Sequence, residues 1–469
     1  MGSTQIKTVI VAFLVIGCIT TAFLLQHQAQ ARLQLDNESL RQRSEQMARL
    51  CASFRQICSH SVGEASNRLS ETVSIDCGRD RGGLRHCGSG FLYGFSPNGS
   101  EPPDSAVAPL NIRLHRAGLE DTLAQAGRMK ALGIQQQVVL SEVWGYEKTH
   151  PGDHGDWTTW EKCIRRQMDL VRQAGSQVQY DIWNEPDHGH FWGRTPEQFH
   201  ETWTRACRTL RAADPAAIIV GPSWSNVHPG EPRFENFLLR CKTNDVLPDY
   251  ITWHFPKDTV GEVRACREFC ERAGIHVKGI LINEYAPANE QTAAATAWHL
   301  AQLEAAQVDG ACRAIWDDSQ HNNLDGILAG GVPRGPWWVY RRYAEMGGQL
   351  LDSTPSANVD ALAAADPTAR KLDILLGRRG WAGLSVMVRV DHLEAVPFLG
   401  RAQGVWIRVE QIENQGGTVT NLAVLLDGTM GSPTGRAEFL IPWLNPGDAY
   451  AVQITPGRPE RSTRPLAAN

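Results

Sequence analysis

Between residues 91 and 348 the chain alternates short apolar runs, rich in β-branched and aromatic residues, with longer stretches whose apolar positions recur at helical spacing. The short runs predict strands over 91–95, 110–115, 134–141, 178–183, 217–221, 250–254, 279–283 and 311–316. The amphipathic stretches predict helices over 119–132, 157–173, 195–212, 260–272, 292–306 and 337–346. Strands and helices in that alternation fit an α/β fold, a (β/α)8 TIM barrel over 91–348. The first crossover, 96–109, is too rich in proline for a good helix, so one outer helix is expected to be missing or replaced. After Gly348 the pattern changes to strand-length runs with Gly and Pro turns, at 372–376, 384–390, 404–412, 423–426, 437–441 and 449–454. These predict a small all-β, sandwich-like module over 349–456, with a disordered tail over 457–469.

Ahead of the barrel, 8–25 (TVIVAFLVIGCITTAFLL) is an uncharged apolar run long enough to cross a bilayer as a helix. One reading is an uncleaved transmembrane signal-anchor. The other is a signal peptide cut after Ala29-Gln30-Ala31, which matches an A-x-A site. The length favours the anchor, and either reading puts the barrel outside the cytoplasm, periplasmic or extracellular, and secreted if the segment is cleaved. From 27 to 59 the chain is polar, with Leu33, Leu40, Met47 and Phe54 at intervals of seven. Because Asn37, Ser44 and Cys51 occupy other seam positions, a self-associating coiled-coil stalk and a solitary spacer helix are both open. Residues 60–90 show no periodicity and are expected to be an irregular lead-in.

The net charge of -5 and the lack of a Lys/Arg run argue against a nucleic-acid partner. Tryptophan is abundant, 15 against 8 tyrosines; indoles stack on sugar rings, but most simply fill cores. Eleven cysteines are many for an exported protein. Disulfides are expected among Cys51, Cys58, Cys77 and Cys87, whereas Cys163, Cys207 and Cys312 read as small buried hydrophobes.

Two glutamates stand where a barrel builds its site, at the C-terminal ends of strands. Glu185 follows the fourth run in Trp-Asn-Glu-Pro, and Glu284 follows the seventh in Ile-Asn-Glu-Tyr. Glycoside hydrolysis with retention needs such a carboxyl pair, about 5–5.5 Å apart. The stretch 178–192 (VQYDIWNEPDHGHFW) resembles the acid/base region of glycoside hydrolase family 39, in clan A, and 281–285 (LINEY) is similar to its nucleophile strand. The run 138–146 (VVLSEVWGY) and Trp316 also resemble that family's barrel. The resemblance implies a retaining glycosidase with Glu185 as general acid/base, Glu284 as nucleophile, an oligo- or polysaccharide substrate and no cofactor or metal. Members act on xylosides, iduronides or bacterial exopolysaccharides.

Further candidates line the same rim. Asn184 is placed to meet a sugar 2-hydroxyl or to tie down its loop, and Arg113 to neighbour Glu284 or fill a barrel salt bridge. His115, Glu142, Trp144 and Trp316 lie at other strand ends. His254 ends the sixth run near the nucleophile, but Phe255-Pro256 follows it where the clan often has His-x-Tyr. A different class of function is a catalytically silent barrel that binds extracellular polysaccharide.

Overall fold

The computed structural model describes residues 70–144, 149–316, 322–380, 385–400, 404–414, 416–431 and 435–458. The apolar run 8–25, the segment 27–59 with Cys51 and Cys58, and most of the tail lie outside these residues. Among the described residues no helix is long and apolar enough to cross a membrane.

Of the irregular lead-in expected over 60–90, residues 60–69 lie outside the described residues, and 70–83 instead form a strand, β1 (Ser70–Gly83). Val73, Ile75 and Cys77 are buried on one face of it. That alternation is only three residues long, and the partners that make it a strand come from far along the chain.

Eight parallel strands then close into a barrel: β2 (Gly90–Leu92), β3 (Leu114–Ala117), β4 (Gln135–Val139), β5 (Val178–Asp181), β6 (Ile218–Trp224), β7 (Tyr250–His254), β8 (Gly279–Tyr285) and β9 (Gly310–Arg313). Around it lie α1 (Leu119–Leu132), α2 (Thr158–Gln173), α3 (Pro196–Ala213), α4 (Pro232–Thr243), α5 (Thr259–Ala273), α6 (Ala293–Ala306) and α7 (Gly335–Glu345). Helix α4 was not expected; Pro232 opens it, and Phe234, Phe237, Leu238 and Cys241 form its buried stripe. The first crossover holds only a short helix, Asp104–Val107, and a 3-10 turn, Ala108–Leu110. The strand expected over 110–115 is displaced for a related reason. Leu110 and Ile112 are apolar, but they fill a core beside α7, and the barrel strand begins at Leu114.

Beyond a small ribbon, β10 (Leu328–Ala329) with β11 (Val332–Pro333), come β12 (Gln349–Thr354), β13 (Val359–Asp366), β14 (Lys371–Arg378), β15 (Ser385–Asp391), β16 (Gly404–Ile412), β17 (Ala423–Gly431), β18 (Ala437–Pro442) and β19 (Ala449–Thr455). With β1 they make one nine-stranded sheet, in the order β17-β16-β19-β14-β13-β12-β1-β15-β18. Val73, Ile374, Val388, Ile407, Phe439 and Val452 share one buried core, so the two ends of the sheet fold over a common interior.

Helix α6 joins barrel to sheet. It is alanine-rich and buried almost all round, because one side meets the barrel and another the sheet. Gly377 on β14 permits the contact: a Cβ there would stand 1.9 Å from the Trp298 backbone nitrogen. The disulfides expected at Cys77 and Cys87 are absent, and all eight described cysteines are free. Cys77 packs in the sheet core and Cys87 in the barrel core, so the two thiols serve different interiors.

Candidate active site

A layer of polar side chains fills the barrel below its mouth. Asn283 on β8 donates from Nδ2 to Gln137 on β4 at 3.2 Å, to Asp181 on β5 at 3.0 Å and to Ser223 on β6 at 2.9 Å. Strands β4 and β8 lie on opposite walls, so this bond crosses the interior. The Ser223 hydroxyl also meets Asp181 Oδ1 at 2.9 Å and Thr252 Oγ1 at 2.8 Å.

Above this layer lies Arg116, fully buried on β3. Its Nε donates to Asp181 Oδ2 at 2.9 Å, Nη1 to Glu284 Oε1 at 2.6 Å and Nη2 to Asn184 Oδ1 at 2.8 Å. Burial works against the guanidinium's charge, but Asp181 and Glu284 outweigh it and hold the proton more tightly than usual. The planar fork reaches three acceptors from three separate nitrogens, a spread that the compact ammonium of a lysine does not have.

Glu185 stands just past β5 with a left-handed backbone, φ 44°, fixed by its N–H donating to the Ser223 carbonyl at 3.0 Å. Ser223, Phe255 and Ala286, near the ends of the next three strands, are also left-handed, at φ 56°, 44° and 62°. Such backbone is unfavourable for non-glycine residues and persists only where surroundings enforce it. Here it turns successive strand ends around one mouth. Phe255 is held by its N–H donating to the Glu284 carbonyl at 2.9 Å.

His254 joins the two glutamates. Its Nδ1 lies 2.9 Å from Glu185 Oε1 and 3.5 Å from Glu284 Oε1. Its Nε2 is buried with no hydrogen-bond partner among the described residues. The hydrogen bonds therefore assign the ring proton to Nδ1, facing the carboxylates. The departure from His-x-Tyr does not remove the contact from the end of β7; its shorter arm goes to Glu185 rather than to Glu284. One ligand atom from each of Glu185, His254 and Glu284 lies within 4.8 Å of the others, so these residues would also suit a metal ion by donor type. Arg116 already occupies Glu284 with a positive charge.

Burial pushes the Glu185 carboxyl up. The His254 ring, Arg116 and His188 outweigh it and hold the group below the ordinary glutamate value. Glu142, at the mouth beyond β4, behaves oppositely. Crowding by protein atoms lifts its carboxyl, and the Tyr93 hydroxyl and Arg116 offset only part of that.

Two of the expected neighbours do not reach the site. Arg113 is exposed and precedes β3, and His115 is buried on the strand's outer face with its ring edge-on to Phe95 at 5.0 Å. Burial there pushes His115 down to about 4. The inward positions are Leu114 and Arg116, and the period of two puts 113 and 115 on the other side. Asn184 is in place: Arg116 holds its oxygen, which leaves Nδ2 for another acceptor. Trp144 is half-buried, with its N–H on the Thr149 carbonyl at 3.1 Å and its ring edge-on to Trp160, so it braces the β4 loop. Trp316 is 46% exposed, with its ring centre 5.3 Å from that of Phe255.

Arg116, Asp181, Ser223 and Asn283 were not singled out from sequence. A signal for them existed: strands of a parallel barrel read as apolar runs, and these polar residues interrupt them at inward positions.

Comparison with known proteins bears on the family and the fold. Residues 146–275 match the family model for glycosyl hydrolases family 39. The matched segment contains Asn184, Glu185 and His254 and ends before Glu284. A 3-O-alpha-D-galactosyl-alpha-L-arabinofuranosidase of Bifidobacterium longum subsp. longum is 22% identical over 424 residues, covering 73% of this chain. The alignment spans only 37% of that relative's length. The solved structure of N2152 from Neocallimastix frontalis is 25% identical with a TM-score of 0.72, covering 82% of this chain and 100% of that one. The GH39 enzyme from Xanthomonas axonopodis pv. citri shares the fold at 15% identity, with a TM-score of 0.60 over 84% of this chain and 100% of its own. On the matched segment and on the fold, this chain is family 39-like, similar to the glycosyl hydrolases of that family.

Proposed function

We propose that the protein is a retaining glycoside hydrolase that cleaves a β-linked oligo- or polysaccharide by double displacement. The observation that carries this reading is the approach of the Glu185 and Glu284 carboxylates within 4.8 Å at the mouth of the barrel. Retaining enzymes keep their pair about 5–5.5 Å apart, whereas inverting ones need a wider gap to admit water. In the first step Glu284, oriented by Arg116, attacks the anomeric carbon while Glu185 protonates the departing oxygen. In the second, Glu185 takes a proton from water, which displaces Glu284 from the sugar. Asn184 Nδ2 is placed for a sugar hydroxyl, Trp316 and Phe255 offer ring faces, and Glu142 borders the substrate. We further propose that 8–25 places the enzyme outside the cytoplasm, on a stalk able to self-associate.

A panel of aryl β-glycosides, α-L-arabinofuranosides and polysaccharides tests the reading, with NMR of the first-formed anomer. The arabinofuranosides are included because of the Bifidobacterium relative. Retention is expected, and an inverted product rules the mechanism out. Glu284→Gln should lower kcat by a factor on the order of a thousand or more. Glu185→Ala should spare the first step for substrates with activated leaving groups, which need no acid, and slow the second step for all of them, because the base is lost. A wild type that binds polysaccharide without turnover on any substrate would leave the silent barrel in its place.

A further inference from the structure

A second network runs from the sheet to the barrel mouth. Arg379 follows β14, with its guanidinium 4.9 Å from the centre of the Trp298 ring on α6. Its Nε donates to Glu290 Oε1 at 2.7 Å, and its Nη1 to the Lys257 carbonyl at 3.5 Å. The other Glu290 oxygen lies 2.7 Å from His299 Nε2. Next to Glu290, Gln291 donates to the Ala286 carbonyl at 2.7 Å and accepts from Arg313. That same carbonyl accepts the Trp316 indole N–H at 2.9 Å. The loops after β7, β8 and β9, which carry Phe255, Ala286 and Trp316, are thus tied to a cation from the sheet as well as to the barrel's own Arg313, whose neighbour Asp325 accepts the Trp316 backbone N–H at 3.1 Å.

We propose that Arg379 is a positioning residue for substrate binding, holding the Phe255–Trp316 faces in place through Lys257 and Glu290. The bond-breaking pair is held by Arg116, His254 and Ser223, none of which hydrogen-bonds to Arg379, so the sheet tunes binding and leaves the chemistry alone. The kinetic part of this inference rests on the glycosidase reading above.

The full-length protein is compared as wild type, Arg379→Ala, Arg379→Lys, Trp316→Ala and the Arg379→Ala/Trp316→Ala double variant. Arg379→Ala should raise KM about fivefold with kcat within about twofold, a loss of binding common to ground and transition states. Arg379→Lys keeps a charge beside Glu290 without the second arm, and should fall between. In the Trp316→Ala background the KM effect of Arg379→Ala should largely vanish, because the two act in series. Additive KM effects, or an unchanged KM with a lowered Tm, would overturn the proposal. Hydrogen exchange of the backbone over 286–291 and at Trp316 gives a readout that needs no turnover. Faster exchange in Arg379→Ala supports positioning, and unchanged exchange refutes it. An inert wild type with faster exchange in the variant counts against the hydrolase reading and for this one.

Discussion

At Glu185 two demands meet. A general acid needs its proton near the working pH, yet the His254 ring, Arg116 and His188 together outweigh burial and hold this carboxyl below its usual value. The protonated fraction of the free enzyme then falls early as pH rises, which predicts an acidic profile of kcat/KM. Replacing His254 with Ala leaves burial less opposed, so the Glu185 pKa rises. The alkaline limb of kcat/KM should therefore move to higher pH, even as the peak falls; a limb that moves down or stays would separate Glu185 from that ionisation. Arg116 supports a different expectation. Arg116→Met leaves Asp181 and Glu284 as buried carboxylates without their cation, a change that typically costs about 3–5 kcal/mol and is read as a fall in Tm. Arg116→Lys keeps the charge but not the fork. It should fold, with kcat/KM down by about a hundredfold because Glu284 and Asn184 lose their common hold.

Elements differ in how openly they announce themselves. The long amphipathic helices α2 and α3 and strand β7 carry their period in their own residues, and the structure places them within a residue or so of expectation. Strand β1 does not. It pairs parallel with β15 and antiparallel with β12, both more than two hundred residues away, and its own alternation is brief. Strand β13 is equally mute, because its alanine-rich run has little β-propensity and becomes a strand by packing under α6. Since β1 lies inside the sheet, Val73→Asp would bury an unpaired charge in the shared core. The expected outcome is loss of the cooperative thermal transition, whereas Thr72→Asp on the exposed face should shift Tm little.

For the whole molecule, the junction of barrel and sheet is one place where pH acts on stability. The Asn414 side chain accepts from the first N–H of α6, Ala293, at 3.0 Å, and the Gly447 carbonyl accepts from Ala294 at 2.9 Å. Asp448 binds both loops, accepting from the Asn414 N–H at 2.8 Å and from Gln411 at 2.6 Å. Burial pushes its carboxyl up to about 6, against the hydrogen bonds from Gln411 and Asn414. A carboxyl raised on folding contributes stability below its unfolded pKa, near 4, and loses that contribution as pH climbs through 6. Over that window the loss is on the order of 3 kcal/mol. Calorimetry from pH 4 to 7 should show it, and Asp448→Asn should flatten the slope.

What the sequence determined by itself was the local and periodic part: the alternation that makes a barrel, the outer helices, and Glu185 and Glu284 in their motifs. It also marked His254 and Trp316 as rim residues. These are legible because they depend on neighbours a few residues away. Tertiary structure alone decided that Arg116 rather than Arg113 faces the carboxylates, since a one-residue shift in strand register exchanges inside for outside. It likewise decided that His254 bridges both glutamates and that β1 belongs to the distant sheet. In each case the contact joins residues widely separated in the chain, and no local pattern records which ones closure of the barrel will bring together.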